Sequence, residues 1–214
     1  ILIMNRPNLK NPKLAEFIGV LLGDGSIGKY KCKAGERVKT QYRTKVTLSS
    51  REKEYLNYLD KIFQEIFGIE PIKRQKKNEN VIEMLSYRKE LFKFLTQEIG
   101  LKEAPKWNNA VIPKRYLKNN LEKDVLRGYF DTDGSLVLTD NNGTLYPRLE
   151  MKICPSPMQK QLISILERLG FRFGVYKIGK GKVRIQLNGK GQLNKWIKEV
   201  GFSNKKHTKK NKKV

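Results

Sequence analysis

A chain of 214 residues is long enough to bury a full core, as one domain or as two small ones. Its 45 Lys and Arg against 21 Asp and Glu leave a formal charge of +24, which points to a polyanionic partner, nucleic acid first. A membrane surface is the rival, but no apolar run approaches the roughly 18 residues of a spanning helix and no signal-peptide pattern precedes Pro7. The expectation is a soluble, intracellular protein of the cytoplasm or an organelle matrix.

In chain order, Asn11-Pro12 reads as an N-cap with proline in the first helical turn, opening an apolar helix that stops near Gly23 to Gly25. Two strands follow, Ser26 to Lys33 and Tyr42 to Leu48, joined by a loop with Gly35. In the first, Lys29, Lys31 and Lys33 alternate with Tyr30 and Cys32. In the second, Arg43, Lys45 and Thr47 alternate with Thr44, Val46 and Leu48, and period two is expected to put the basic set on one face. Ser50 is expected to cap an amphipathic helix to about Phe67 with the stripe Tyr55, Leu59, Ile62, Phe63, Ile66, ended by Gly68. Strands Glu70 to Lys76 and Val81 to Tyr87 flank a turn at Lys77-Asn78-Glu79-Asn80, and a helix from Lys89 to Ile99 closes the first half.

Gly100 to Leu117 is a connector broken by Pro105 and Pro113. The same order then recurs: a helix from about Leu121 to Thr132, strands near Ser135 to Leu138 and Leu145 to Ile153, and a helix from Met158 to Leu169. A hairpin of Phe171 to Ile178 and Lys182 to Leu187 follows, then a helix from Gln192 to Val200. Lys182, Arg184 and Gln186 alternate with Val183, Ile185 and Leu187, a second basic face. The Lys-rich tail after Gly201 reads as a solvated arm. Cys32 and Cys154 are too few for a disulfide framework or a zinc site and read as buried free thiols. His207 is the single histidine, so the chemistry rests on acids, lysines and metal. Trp107 and Trp196 read as packing residues. Because the chain opens on Ile1 and lacks a Cys or Ser at its start and an Asn at its end, the expectation is a fragment or processed product that does not splice itself.

Two decoys are set aside. Gly23-Asp24-Gly25-Ser26-Ile27-Gly28 fits G-x-G-x-x-G but follows a helix and opens a strand, the reverse of a dinucleotide site. The run from Gly174 to Gly181 nearly fits a P-loop but has glycine where Ser or Thr should bind Mg²⁺.

The most informative feature is a repeat. Phe17-Ile18-Gly19-Val20-Leu21-Leu22-Gly23-Asp24-Gly25 and Leu126-Arg127-Gly128-Tyr129-Phe130-Asp131-Thr132-Asp133-Gly134 lie half a chain apart, each followed by a serine, Ser26 or Ser135. A mid-helix glycine costs roughly 1 kcal/mol relative to alanine, so Gly19 and Gly128 want a reason, and close approach of two backbones is one. Helices packed through those glycines would bring their C-termini, and with them Asp24 and Asp133, together. Helix C-termini favour cations, two adjacent carboxylates repel unless a divalent ion joins them, and oxygen-only ligands suit Mg²⁺ or a similar hard ion.

These paired runs resemble the motifs of the LAGLIDADG homing endonucleases, and the resemblance covers nearly the whole chain as a single-chain, two-motif member. It implies an α+β fold of two pseudo-symmetric αββαββα halves, with antiparallel sheets forming a DNA-binding saddle and the two motif helices packed at the centre. The halves would span residues 1–100 and 118–203, with a connector at 101–117 and a basic tail at 204–214. It implies a monomer that makes metal-dependent double-strand breaks at a long site in DNA, encoded within an intron or an intein. Asp24 and Asp133 fall on the positions that bind the catalytic ions, Mg²⁺ or Mn²⁺, with help from the carbonyls of Gly23 and Thr132. Asp131 matches the family's other acid, where the first copy has Leu22. A lysine near each scissile phosphate is expected: Lys106, upstream of Ile112-Pro113, and Lys206, with Lys209 close behind. The sheet faces, with Lys29, Lys31, Lys33, Arg43, Lys45, Thr47, Lys73, Gln75, Arg148, Lys152, Lys182, Arg184 and Gln186, would grip the duplex, some by phosphate and some by base. The alternative of the same fold is a non-cutting binder, either a maturase with intron RNA as partner or a DNA-binding regulator.

Overall fold

The computed structural model describes residues 4–35, 37–76 and 79–213. Ile1, and Lys77 and Asn78 of the expected turn, lie outside them. Helix α1 (Pro12–Leu22) starts on Asn11, whose side chain accepts from the N–H of Lys13, with Pro12 in the first turn where its missing N–H costs nothing. It feeds the long hairpin β1 (Gly25–Ala34) and β2 (Arg37–Ser49). The cap that follows is Ser49 rather than Ser50. Ser49 and Glu52 form a reciprocal capping box on a 3₁₀ turn, Ser50–Glu52, that runs into α2 (Lys53–Phe67). The expected stripe of α2 is buried, and Gly68 ends it in the left-handed region (φ +64°). Next come β3 (Ile72–Gln75), β4 (Val81–Ser86) and α3 (Lys89–Lys93), which continues as a π-helical turn to Glu98.

The second half repeats this as α4 (Leu121–Asp133), β5 (Gly134–Asn141), β6 (Thr144–Ile153), α5 (Met158–Arg168), β7 (Gly174–Lys177), β8 (Val183–Asn188) and α6 (Lys190–Glu199). The two sheets are antiparallel with matching orders, β1-β2-β4-β3 and β5-β6-β8-β7. The two decoys, expected as turns, are each part turn and part strand: Gly23 and Asp24 lead from α1 into β1, which opens at Gly25, and Gly174–Lys177 is β7, with residues 178–182 linking it to β8.

Helices α1 and α4 form the centre of one apolar cluster that runs through both halves. A Cβ on Gly19 would overlap the carbonyl oxygen of Val125, and one on Gly128 the carbonyl oxygen of Glu16. The backbones therefore touch where the two glycines fall. Arg127 clamps the same pair beside that crossing: its Nη2 donates to Glu16 Oε2 (2.8 Å) and to Asp124 Oδ1 (2.7 Å), and Tyr58 Oη donates to Glu16 Oε1 (3.0 Å). Glu16 is buried to 1% exposure, so this ion pair is what makes a carboxylate tolerable inside the helix interface.

Several expectations are corrected. The tail is not a free arm: Asn204 caps a further helix, α7 (Lys205–Asn211), and His207 is 2% exposed, packed against Phe130 and Phe202. Burial of one imidazole on that aromatic surface outweighs the lysine repulsion that a charge run suggests. Cys32 and Cys154 are free but half-buried, not buried. Trp196 is fully buried against Phe130 and Phe171, whereas Trp107 is 40% exposed with the Lys182 ammonium over its ring. No helix of the described residues is long and apolar enough to cross a membrane.

Candidate active site and nucleic-acid interface

The ends of α1 and α4 abut. A Cβ on Gly23 would overlap the Thr132 hydroxyl, and the Asp24 carbonyl accepts from the N–H of Thr47, which ties the end of the first motif to β2. Asp24 is half-buried while Asp133 opens to solvent. Burial, then the charge of Asp133, pushes the Asp24 carboxyl up to about 6, with Lys206 and Lys106 pulling the other way. Asp133 is also raised: although its surface opens to solvent, the protein packed around it penalises the charged form, against the pull of Lys106 and Lys206. Lys106 is lowered by burial and held up by Asp133 and Asp24. Two acids and two lysines that the sequence scatters over most of its length thus lie within electrostatic reach of one another.

Each lysine reaches one helix end: Lys106 Nζ donates to the Gly23 carbonyl, and Lys206 Nζ to the Thr132 carbonyl (3.5 Å). These are the two carbonyls expected to assist the metal. A carbonyl oxygen has two lone pairs, so neither contact excludes a cation. The donor set, two carboxylates with carbonyl oxygens, suits a hard divalent ion, and the mutual repulsion of Asp24 and Asp133 is what such an ion relieves. Among the described residues no group of three or more acids, histidines and cysteines could hold a metal. A Mg²⁺ ion that keeps waters and takes phosphate oxygens fits two carboxylates better than a closed protein cage would. Asp131 faces away from this centre. It is fully buried, its Oδ2 accepts from the N–H groups of Ser203 (2.6 Å) and Asn204 (3.0 Å), and burial raises its carboxyl to about 7. Lys209 pairs with Glu54 (3.4 Å) instead of approaching the acids.

Strand register decides which basic residues share a face, because residues directly opposite in an antiparallel pair point the same way. Ser26 lies opposite Lys45 and Gly28 opposite Arg43, so Tyr30 and Cys32 share the outer face with Arg43, Lys45 and Thr47. The Arg43 guanidinium stacks 4.3 Å over the Tyr30 ring. Lys29, Lys31 and Lys33 therefore fall on the opposite face, that of Val46 and Leu48, which corrects their assignment to one basic surface. Lys29 turns toward Glu103 of the connector (3.6 Å). Lys73 lies opposite Met84 and Gln75 opposite Ile82, on the helix side, and Lys73 Nζ is bound to Asp60 of α2 (2.6 Å). Their neighbour Arg74 is the outward residue. It shares Glu83, fully buried on the outer face, with Lys45: Arg74 Nη2 lies 2.6 Å and Lys45 Nζ 3.0 Å from its carboxylate.

In the second sheet the expected residues do lie together. Arg148 lies opposite Asn188, Gln186 opposite Glu150 and Arg184 opposite Lys152, with Lys182 next in the alternation. Here too an acid is embedded in the face: Glu150 accepts from Arg148 and from Gln186 Nε2 (2.8 Å). The sequence reading missed Arg74, Glu83, Glu150 and Glu52. Only the Ser49-x-x-Glu52 capping box had a local signature.

The LAGLIDADG DNA endonuclease family profile matches residues 16–193, from within α1 to within α6. Among solved structures, I-SmaMI bound to uncleaveable DNA aligns with a TM-score of 0.63 at 15% identity over 96% of this chain and 88% of that one. I-GzeII in complex with a DNA target aligns with a TM-score of 0.62 at 14% identity, covering 94% and 86%. A DNA polymerase of Methanocaldococcus jannaschii is 25% identical over 201 residues, 88% of this chain but 11% of that protein. The replication factor C small subunit of the same organism is 22% identical over 209 residues, 94% and 10%. The chain thus spans about a tenth of the length of the curated relatives it matches. With the match covering both motifs, both sheets and the acids between them, this chain belongs to the LAGLIDADG DNA endonuclease family.

Proposed function

We propose that this chain is a site-specific homing endonuclease that works as a monomer and cuts both strands of duplex DNA with Mg²⁺ or Mn²⁺ held by Asp24 and Asp133. The observation that carries the reading is the pairing, at one junction, of two helix-end carboxylates with two lysines, one lysine at each helix end. Solved neighbours with the same fold include I-SmaMI with an uncleaved DNA target in the presence of calcium ions. The same segment of about 200 residues matches a polymerase and a replication factor C subunit, two proteins of different activity. What they share with this chain is therefore not polymerisation, and the match fits an inserted, intein-encoded element.

When bound, the divalent ion supplies Lewis acidity at the phosphate and lowers the pKa of a water. The rest is done by the chain's own residues. Asp24 and Asp133 hold the charge that fixes the ion at the junction of the halves. Lys106 and Lys206 offer ammonium groups to charge that develops on each scissile phosphate, and preorganised donors in a crowded site are worth more there than in water. The outer sheet faces, with Arg43, Lys45, Thr47 and Arg74 on one and Arg148, Lys152, Lys182, Arg184 and Gln186 on the other, form a saddle for the duplex.

The test is a randomised duplex library incubated with the protein and Mg²⁺. Double-strand breaks are expected with Mg²⁺ or Mn²⁺ and none in EDTA, and undiminished cutting in EDTA would overturn the metal assignment.

Register gives a second expected outcome. Arg74→Ala should weaken DNA binding and lower the slope of log affinity against log salt by about one, the signature of a lost phosphate contact. Lys73→Ala, on the helix side and paired with Asp60, should leave that slope unchanged. The reverse result would mean that the sheet meets DNA with its other face.

A further inference from the structure

The two lysines of the candidate site are held in a crossed arrangement. Lys106 follows the first half, yet its segment rests on the corner after β6 of the second: Asn108 N–H donates to the Pro155 carbonyl (2.6 Å) and the Cys154 thiol lies 3.9 Å from the Lys106 carbonyl. Lys206 follows the second half, and its segment rests on the corresponding corner after β2 of the first. There the support is a charged side chain. Glu52 Oε1 accepts from Lys206 Nζ (3.0 Å) and from Asn204 Nδ2 (2.7 Å). Glu52 Oε2 is fixed by the Ser49 N–H of the capping box (3.3 Å). Asn204 in turn donates to the Asp131 carbonyl (3.0 Å) and accepts from the N–H of Lys206 (3.1 Å). The Glu52 side chain is 15% exposed and that of Lys206 34%. Among the described residues, Lys106 Nζ has the Gly23 carbonyl as its hydrogen-bond partner and no salt bridge to a carboxylate at the equivalent corner.

Resting on the nuclease reading, we propose that Glu52 is a positioning residue for Lys206, so that the two cleavage centres are unequal. The strand attended by Lys206 depends on Glu52, a residue of the opposite half, and the strand attended by Lys106 does not. The physical reason is entropy. A lysine side chain has four rotatable bonds and loses rotamer freedom when it is fixed. An acid held at both oxygens keeps Lys206 extended toward the Thr132 end of α4, while Lys106 is kept in place by burial and by the Gly23 carbonyl.

The experiment is strand-resolved cleavage by the full chain of a duplex recovered from the randomised library, each strand carrying its own end label. Glu52→Ala is expected to slow one strand about ten- to hundred-fold, the loss typical of a misplaced group, and to leave the other within two-fold, so that nicked duplex accumulates. Glu52→Gln keeps a carbonyl acceptor for Asn204 and Lys206 and should restore most of the lost rate. Glu54→Gln, which touches only the exposed pairs with Lys205 and Lys209, should match the wild type on both strands. Equal slowing of both strands by Glu52→Ala with the melting temperature lowered would show a merely structural role and overturn the proposal. So would wild-type rates on both strands. If the wild-type chain cuts no duplex in the library, it is the nuclease reading that fails, and the proposal falls with it.

Discussion

Asp24→Asn and Asp133→Asn are each expected to reduce cleavage by orders of magnitude while leaving DNA affinity within a few-fold. Each acid lies at the helix junction, away from the outer sheet faces, so under the proposed mechanism its loss removes a ligand of the ion and not the grip. The same variants should gain stability, and this sets them apart from a fold defect. The Asp24 carboxyl sits at about 6 in the folded chain against 3.8 without the fold, raised by burial and by Asp133. A raised carboxyl favours the protonated form, so in the metal-free protein this group costs stability above about pH 6, and the cost fades as pH falls toward 3.8. The cost is at most about 3 kcal/mol before solvent screening. In metal-free buffer near pH 7.5, Asp24→Asn should therefore melt no lower than wild type, and the difference should close at pH 4. An Asn variant that cuts both strands at the wild-type rate would sink the site assignment; one that is inactive and melts far lower would show that the loss came from misfolding.

Gly128→Ala, like Gly19→Ala on the facing helix, should be strongly damaging for the addition of one methyl group. Helix propensity alone predicts a gain of about 1 kcal/mol. That gain is overridden because the new Cβ would strike the Glu16 carbonyl and approach the Val20 nitrogen to 3.0 Å, and backbone atoms cannot turn aside as a side chain can. Overpacking of this kind costs about 1 to 3 kcal/mol, a fall of roughly 2 to 4 °C in melting temperature for each kcal/mol in a chain of this length. Prising α1 from α4 also separates Asp24 from Asp133, so cleavage should fall more than stability does. Gly191 in α6 is the control. A Cβ there meets nothing within 4 Å, and Gly191→Ala should raise the melting temperature slightly. If the two substitutions shift the melting temperature alike, the helices are not packed backbone to backbone.

The order of elements and the repeat are legible because each is a local property. An N-cap before proline, a glycine after an apolar stripe and an Asp-Gly after a mid-helix glycine depend on residues a few positions apart. Matching glycines let two helices approach closely, and packed side by side through them α1 and α4 bring their C-terminal ends together. The faces of the sheets are not legible in this way. Alternation shows that a strand has two faces, but it tells inside from outside only where one face is buried. In β1 residues 29–33 are exposed or half-buried, and all four residues of β3 are exposed. Alternation alone thus groups Lys29, Lys31, Lys33, Lys73 and Gln75 with the other basic residues, whereas the register sets them on the face opposite Arg43, Lys45 and Arg74.

The tail and the support of Lys206 were also decided only in three dimensions. A run of lysines carries no sign that one histidine within it will be buried on Phe130 and Phe202, because the surface that receives it comes from α4 and the segment after α6. Glu52 and Lys206 lie at opposite ends of the sequence. What pairs them is the crossing of the chain at the junction of its two halves: local sequence specifies each helix end and each corner, while the ion pair exists only once the halves have closed on each other.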